Sequence, residues 1–188
     1  MGKPSGGVRP IALMPMIYRL WTKVRKGTIS IWEDSHGGVW DAAIKGSSAL
    51  RAAFYGTFFD ELHAVEGCHI PTGLVDLEKF YDNIAIPKLI EQAKALGYPM
   101  RMLTLGLQMH LAPRVVKARD AYAFAERPAN GIIAGCTQSN TFARILLHQV
   151  LHDMYYKSCM HNESRLLRQF VDDIRISYAR AMLKIVAT

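Results

Sequence analysis

The tetrapeptide Phe170-Val171-Asp172-Asp173 constrains this chain more than any other short stretch. An apolar run precedes it (Leu166, Leu167, Phe170, Val171) and an alternating run follows it (Ile174, Ile176, Tyr178). Alternation with period two marks a half-buried strand. Two such runs meeting at adjacent polar residues predict a hairpin with its carboxylates at the turn. Side-by-side like charges repel, and a divalent cation or a proton relieves them. A third aspartate, Asp76, stands at the C-terminal end of a run, His69 to Leu77, that reads as a buried strand.

The bulk numbers narrow the partners. The chain has 188 residues, a formal charge of +7 and a pI near 9.4, with 50% hydrophobic and 21% charged residues. That composition is globular rather than disordered. The charge favours anionic partners, nucleic acid first, with a merely basic surface as the plain alternative. Cys68, Cys136 and Cys159 form no CxxC pair, so neither a zinc ribbon nor a disulfide framework is supported, and a reducing compartment fits. No apolar run is long enough to span a bilayer, and the N-terminus lacks a signal-peptide core. The expected location is therefore intracellular, with no membrane partner and nothing that argues for an oligomer.

Along the chain, Lys3 to Arg9 is rich in Gly and Pro and reads as a loop or hairpin. Met16 to Lys26 carries Ile17, Leu20, Trp21 and Val24 at helical spacing. A second helix is expected over Ser47 to Val65, capped by Ser47 or Ser48, with Leu50, Phe54, Phe58 and Leu62 as its apolar stripe. Pro87 to Leu96 predicts a helix stopped at Gly97, and Met100 to Leu111 another. Arg114 to Phe124 predicts a hairpin around Arg119-Asp120, and Ser139 to Lys157 a long helix. The order strand, helix, helix, hairpin, helix, strand, strand is an α+β layout, with helices on a small antiparallel sheet. A split βαβ core would set Asp76 beside Asp172.

Four blocks in this order resemble the reverse transcriptase domain of the non-LTR retrotransposon and group II intron type. Gly7-Val8-Arg9-Pro10-Ile11 with Tyr18-Arg19-Leu20 resembles the first fingers block. Asp76-Leu77-Glu78-Lys79-Phe80-Tyr81-Asp82 resembles motif A, and Gly131 to Phe142 resembles motif B. Phe170-Val171-Asp172-Asp173 resembles motif C, the aromatic-x-Asp-Asp box. The resemblance implies right-hand polymerase fingers (about 1–66 and 98–128) and palm (about 67–97 and 129–188), with a ferredoxin-like palm sheet. The resemblance also implies a domain cut off after motif C, before the thumb that follows in this family.

By the same resemblance the function is RNA-directed DNA polymerase, adding dNTPs to a primer 3′-hydroxyl. The expected partners are an RNA template, a DNA or RNA primer and dNTPs. The expected cofactor is a pair of Mg²⁺ ions, with Mn²⁺ as an alternative. Magnesium prefers oxygen ligands and keeps substrate phosphates in its shell, so a few carboxylates suffice. Asp76 and Asp172 would bridge the metals, with Asp173 supporting and the Leu77 carbonyl as a further ligand. Tyr81 occupies the steric-gate position, where a ring under the sugar excludes a 2′-hydroxyl. Lys3 and Arg9 would grip the triphosphate. Gly135 would let motif B approach the nucleotide. A eukaryotic retroelement would place the protein in the nucleus.

Motif B departs from the family pattern. Ala134 replaces the usual Gln and Asn140 the usual Pro, with Gln138 or Asn140 as possible stand-ins for the missing amide. A catalytically inactive relic that only binds nucleic acid is one alternative. An RNA-dependent RNA polymerase is another, disfavoured by Tyr81 and Val171 at positions where that family uses Asp and Gly. Lys23, Arg25, Lys26, Arg114, Lys117 and Arg119 are candidate template-primer contacts or plain surface charge. His148 and His152 have metal-ligand spacing, but the H-E-x-x-H pattern is missing. Trp21, Trp32 and Trp40 read as packing residues.

Overall fold

A computed structural model of the chain describes residues 11–44, 46–158, 164–171 and 173–181. The elements run in the order α1 (Met16–Val24), α2 (Lys26–His36), α3 (Ala49–Val65), β1 (Cys68–His69), β2 (Thr72–Asp76), α4 (Ile86–Ala95), α5 (Met100–His110), β3 (Arg114–Ala118), β4 (Ala121–Ala125), α6 (Ser139–Ser158), β5 (Ser164–Phe170) and β6 (Asp173–Ala181). The chain divides into two compact units, Met1–Glu33 with Tyr81–Phe142, and Asp34–Phe80 with Ala143–Thr188.

The first unit is mainly helical. Pro87 lies in the first turn of α4, and Gly97 follows α4 with φ +62°, donating to the Lys94 carbonyl. α4 and α5 bury Leu89, Ala93, Leu103 and Leu107, with Trp32, Tyr98 and Phe142 packed edge-on. Trp32 Nε1 donates to the Leu96 carbonyl at 2.9 Å, so the buried indole is satisfied. β3 and β4 form the expected hairpin, with Arg119 at φ +54° in its turn. The expected helix from Met16 to Lys26 ends at Val24, and α2 follows after Arg25.

The second unit holds a four-stranded antiparallel sheet with β6 at its centre. β2 pairs with the first half of β6 and β1 with its far end, while β5 runs along the other edge. β2 and β5 are both antiparallel to the strand between them, which is the split βαβ arrangement. Beyond β5, Gln169 N–H donates to the Trp40 carbonyl and Ala42 N–H donates to the Gln169 carbonyl. One face of the sheet packs Leu167, Ile174 and Ile176 against Trp40, Leu147, Leu151 and Tyr155. A buried ion pair, Arg144 with Asp41, sits in the same unit.

Two expectations are corrected here. The run His69 to Leu77 is neither continuous nor buried. It breaks at Ile70 and Pro71, and every residue of β2 is exposed, Leu74 at 75%. Among the described residues β2 pairs with β6 alone, so only one of its edges is covered. The apolar stripes of α1 and α3 also face solvent. Ile17, Leu20 and Val24 are exposed, as are Leu50, Phe54, Phe58 and Leu62. The buried positions are Tyr18 and Thr22 on α1 and Gly56 and His63 on α3. Ser48 is the cap of α3, its side chain accepting from Arg51 N–H.

Candidate active site

The sheet brings two of the three candidate carboxylates together. Asp76, the last residue of β2, is the register partner of Asp173, the first residue of β6. Directly opposed residues of an antiparallel pair point to the same face, with Cβ atoms about 4.5–5.5 Å apart. Both residues are exposed. Like charges so placed destabilise a ladder, so the arrangement favours an occupant that brings positive charge. Two hard carboxylates at one sheet end fit Mg²⁺, which is held through one or two carboxylates and otherwise by water and phosphate oxygens. Among the described residues no group of three or more His, Cys, Asp or Glu is gathered to hold a metal. Asp172 lies outside the described residues, as do Lys3 and Arg9.

Only positions 171 and 172 connect β5 to β6. Val171 has φ +61°, a region that β-branched residues avoid, and its carbonyl accepts from Gln169 Nε2 at 2.9 Å. Two-residue hairpin turns commonly require positive φ, so the short connection imposes this backbone on a residue poorly suited to it. The result is a tight corner with Phe170 and Asp173 as direct partners. Leu77 follows β2, and its carbonyl accepts from Phe80 N–H at 3.1 Å. One of its lone pairs is therefore used in the turn, and the second is available for another donor or an ion.

The remaining sequence candidates lie in the first unit. The Tyr81 hydroxyl donates to Asn140 Oδ1 at 2.9 Å, and the Tyr81 carbonyl accepts from Ile132 N–H at 2.8 Å. Gly135 has φ +84° and open space where a Cβ would stand. Its glycine is thus required by backbone conformation rather than by crowding. Gln138 is fully buried, accepts from the Tyr18 hydroxyl at 3.1 Å and lies against Gly106. That placement removes Gln138 as the stand-in amide and leaves the exposed Asn140.

Sequence reasoning missed what holds the motif B loop. His110, fully buried on α5, accepts the Ile133 N–H on Nδ1 at 2.9 Å, and Ser139 Oγ donates to the Ile133 carbonyl. Gly131 N–H donates to the Ile84 carbonyl, and Cys136 contacts the Tyr18 hydroxyl. Burial lowers the pKa of His110 to about 4, with the nearby Arg114 adding to the shift, so it stays neutral as an acceptor. Burial also raises the Tyr18 hydroxyl well above its usual range. A lone His on an apolar helix carries no sequence signal for such a role.

Lys23, Arg25, Lys26, Lys117 and Arg119 are exposed, and Arg114 donates to the His110 carbonyl at 3.2 Å. In the second unit His148 packs near Trp40 and between His36 and His152, and burial followed by these two imidazoles lowers its pKa. Trp32 and Trp40 are buried packing residues. Among the described residues no helix is long and apolar enough to cross a membrane.

The sequence profile of the family described as reverse transcriptase (RNA-dependent DNA polymerase) matches residues 1–182. No curated protein matches the chain at the sequence level. Among solved structures, apo telomerase from Candida tropicalis truncated from its C-terminal domain is similar at TM-score 0.60 and 16% identity, over 87% of this chain and 34% of that one. Apo telomerase from the same organism is similar at TM-score 0.57 and 15% identity, over 89% of this chain and 31% of that one. The chain thus spans about a third of the length of the telomerase chains it resembles.

Proposed function

This chain belongs to the reverse transcriptase family, and from that premise we propose that it is the fingers-and-palm part of an RNA-directed DNA polymerase, of the non-LTR retrotransposon or group II intron type. The observation that carries the proposal is Asp76 directly opposite Asp173 at the open end of the sheet.

In this reading Asp76 and Asp172 would hold two divalent cations, with Asp173 supporting and the second lone pair of the Leu77 carbonyl as a further ligand. Such cations would lower the pKa of the primer 3′-hydroxyl and neutralise charge on the leaving pyrophosphate. Strand pairing fixes the backbones of Asp76 and Asp173 opposite each other, so their side-chain rotamers are what a substrate has left to order. The Tyr81 ring blocks a 2′-hydroxyl, and Asn140 fixes that ring by accepting from its hydroxyl. Gly135 keeps the motif B loop free of a side chain, and Lys3 and Arg9 contact the triphosphate. The exposed bases Lys23, Arg25, Lys26, Lys117 and Arg119 suit template and primer phosphates. Palm would comprise about 67–97 and 129–188, and fingers the rest.

The test is primer extension by the protein carrying this chain, on primed RNA with Mg²⁺ and dNTPs. Incorporation is expected to disappear in Asp76→Asn and in Asp172→Asn. Incorporation that survives both substitutions overturns the proposal.

A further inference from the structure

The sheet face that carries Asp76 and Asp173 is divided along its length. Its far end is covered, with Ser177 and Ala179 buried and α3 lying against β1 and β5. Its near end is open, with Asp76, Asp173 and Leu74 exposed. Arg175 stands at the boundary, two residues along β6 from Asp173 and therefore on the same face. It is the register partner of Leu74 on one side and of Arg168 on the other.

An unrestrained guanidinium here would reach the acidic pair. A long flexible arginine about 7 Å along a strand from a carboxylate lies within the span of its own side chain. The structure holds it elsewhere. Arg175 Nη2 pairs with Asp60 Oδ2 of α3, Nη2 also donates to the Gly56 carbonyl at 3.4 Å, and Nε donates to Ser177 Oγ at 3.1 Å. Gly56 makes the room for this. A Cβ at position 56 would fall 2.8 Å from Arg175 Nη1 and 2.9 Å from its Cζ.

We propose that Asp60 is a positioning residue for the metal site, holding the Arg175 guanidinium against α3 and away from the Asp76–Asp173 pair. The inference rests on the reading of that pair as a divalent-cation site. Without Asp60 the guanidinium turns toward the two carboxylates and competes with the cation as a tethered positive charge.

The double variant separates this role from simple docking of α3. If the ion pair only docks the helix, Asp60→Asn acts through its lost charge alone and weakens Mn²⁺ binding equally with Arg175 present or replaced by Gln. If Asp60 restrains a competing cation, Asp60→Asn has no effect once Arg175 is replaced by Gln. Mn²⁺ titration of the intact protein, read as free Mn²⁺ by electron paramagnetic resonance without nucleic acid, measures this directly. Asp60→Asn is expected to weaken Mn²⁺ binding on the order of tenfold, the effect of a nearby unit charge at intermediate effective dielectric. Arg175→Gln should leave affinity unchanged or tighten it, and the double variant should return to the affinity of Arg175→Gln.

Unchanged affinity in Asp60→Asn, or weakened binding in Arg175→Gln, overturns the proposal. Gly56→Ala is a second route if Asp60→Asn does not fold. It favours the helix and displaces the guanidinium, so it too should weaken Mn²⁺ binding; unchanged affinity there counts against the proposal. Asp76→Asn and Asp173→Asn calibrate the assay. If neither alters Mn²⁺ binding, the cation-site reading fails, a result distinct from failure of the Asp60 role.

Discussion

The Tyr81 hydroxyl donates to Asn140 Oδ1 at 2.9 Å, linking the residue at the proposed sugar gate to a position where motif B usually carries proline. Proline has no acceptor side chain, so this contact belongs to the departure itself. Tyr81→Ala should raise ribonucleotide over deoxynucleotide incorporation on the order of 10–100-fold, the range of steric discrimination in a pocket. Asn140→Ala should raise it by about fivefold, since one neutral hydrogen bond is worth about 1 kcal/mol. Competitive single-nucleotide incorporation measures both, and unchanged discrimination in Tyr81→Ala removes the gate.

Asp41 and Arg144 form a pair in which both side chains are almost fully buried. Asp41 also accepts the Ala43 N–H at 2.8 Å. Asp41→Ala leaves a buried guanidinium without its counter-charge and should cost about 3–5 kcal/mol in urea unfolding. Replacing both partners, Asp41→Leu with Arg144→Met, should recover most of that loss. A loss under 1 kcal/mol in Asp41→Ala would show that water reaches Arg144.

Val171 holds φ +61° with a β-branched side chain. Glycine adopts that conformation without strain, and such a residue costs about 1–3 kcal/mol. Val171→Gly should therefore raise unfolding stability by about 1 kcal/mol, the strain relief exceeding the extra chain entropy of glycine. A fall in stability would mean that packing of the valine side chain outweighs the strain.

His110 has a folded pKa of about 4 against an unfolded value of 6.5. Above pH 6.5 both states are neutral at this position and no penalty arises. As pH falls from 6.5 toward 4 the unfolded chain takes up the proton and the folded chain does not, so stability drops. The full loss is roughly 3 kcal/mol. His148, lowered mainly by burial, acts in the same direction. Urea unfolding at pH 7, 5.5 and 4.5 measures the slope, and His110→Gln should flatten most of it while keeping an acceptor for Ile133 N–H.

Much of the local structure was legible in advance because its signals are local. Pro87 and Gly97 bound α4, Ser48 caps α3, and alternating apolar residues around Phe170 to Asp173 mark the hairpin. The placement of Asp76 at a strand end was legible for the same reason. The burial of β2, the direction of the stripes on α1 and α3, and the role of Gln138 were not. Periodicity shows that apolar residues share one side of an element, but not which neighbour, if any, covers that side.

The sequence by itself determined the family and the α+β class and singled out the acidic candidates, because motif chemistry and short-range propensity reside in neighbouring residues. Only the tertiary structure decided that Asp76 faces Asp173 across a ladder, that Asn140 rather than Gln138 meets Tyr81, and that Asp60 pairs with Arg175. Those are pairings between residues far apart in the chain. Strand register and helix packing set them, and both are properties of the folded whole.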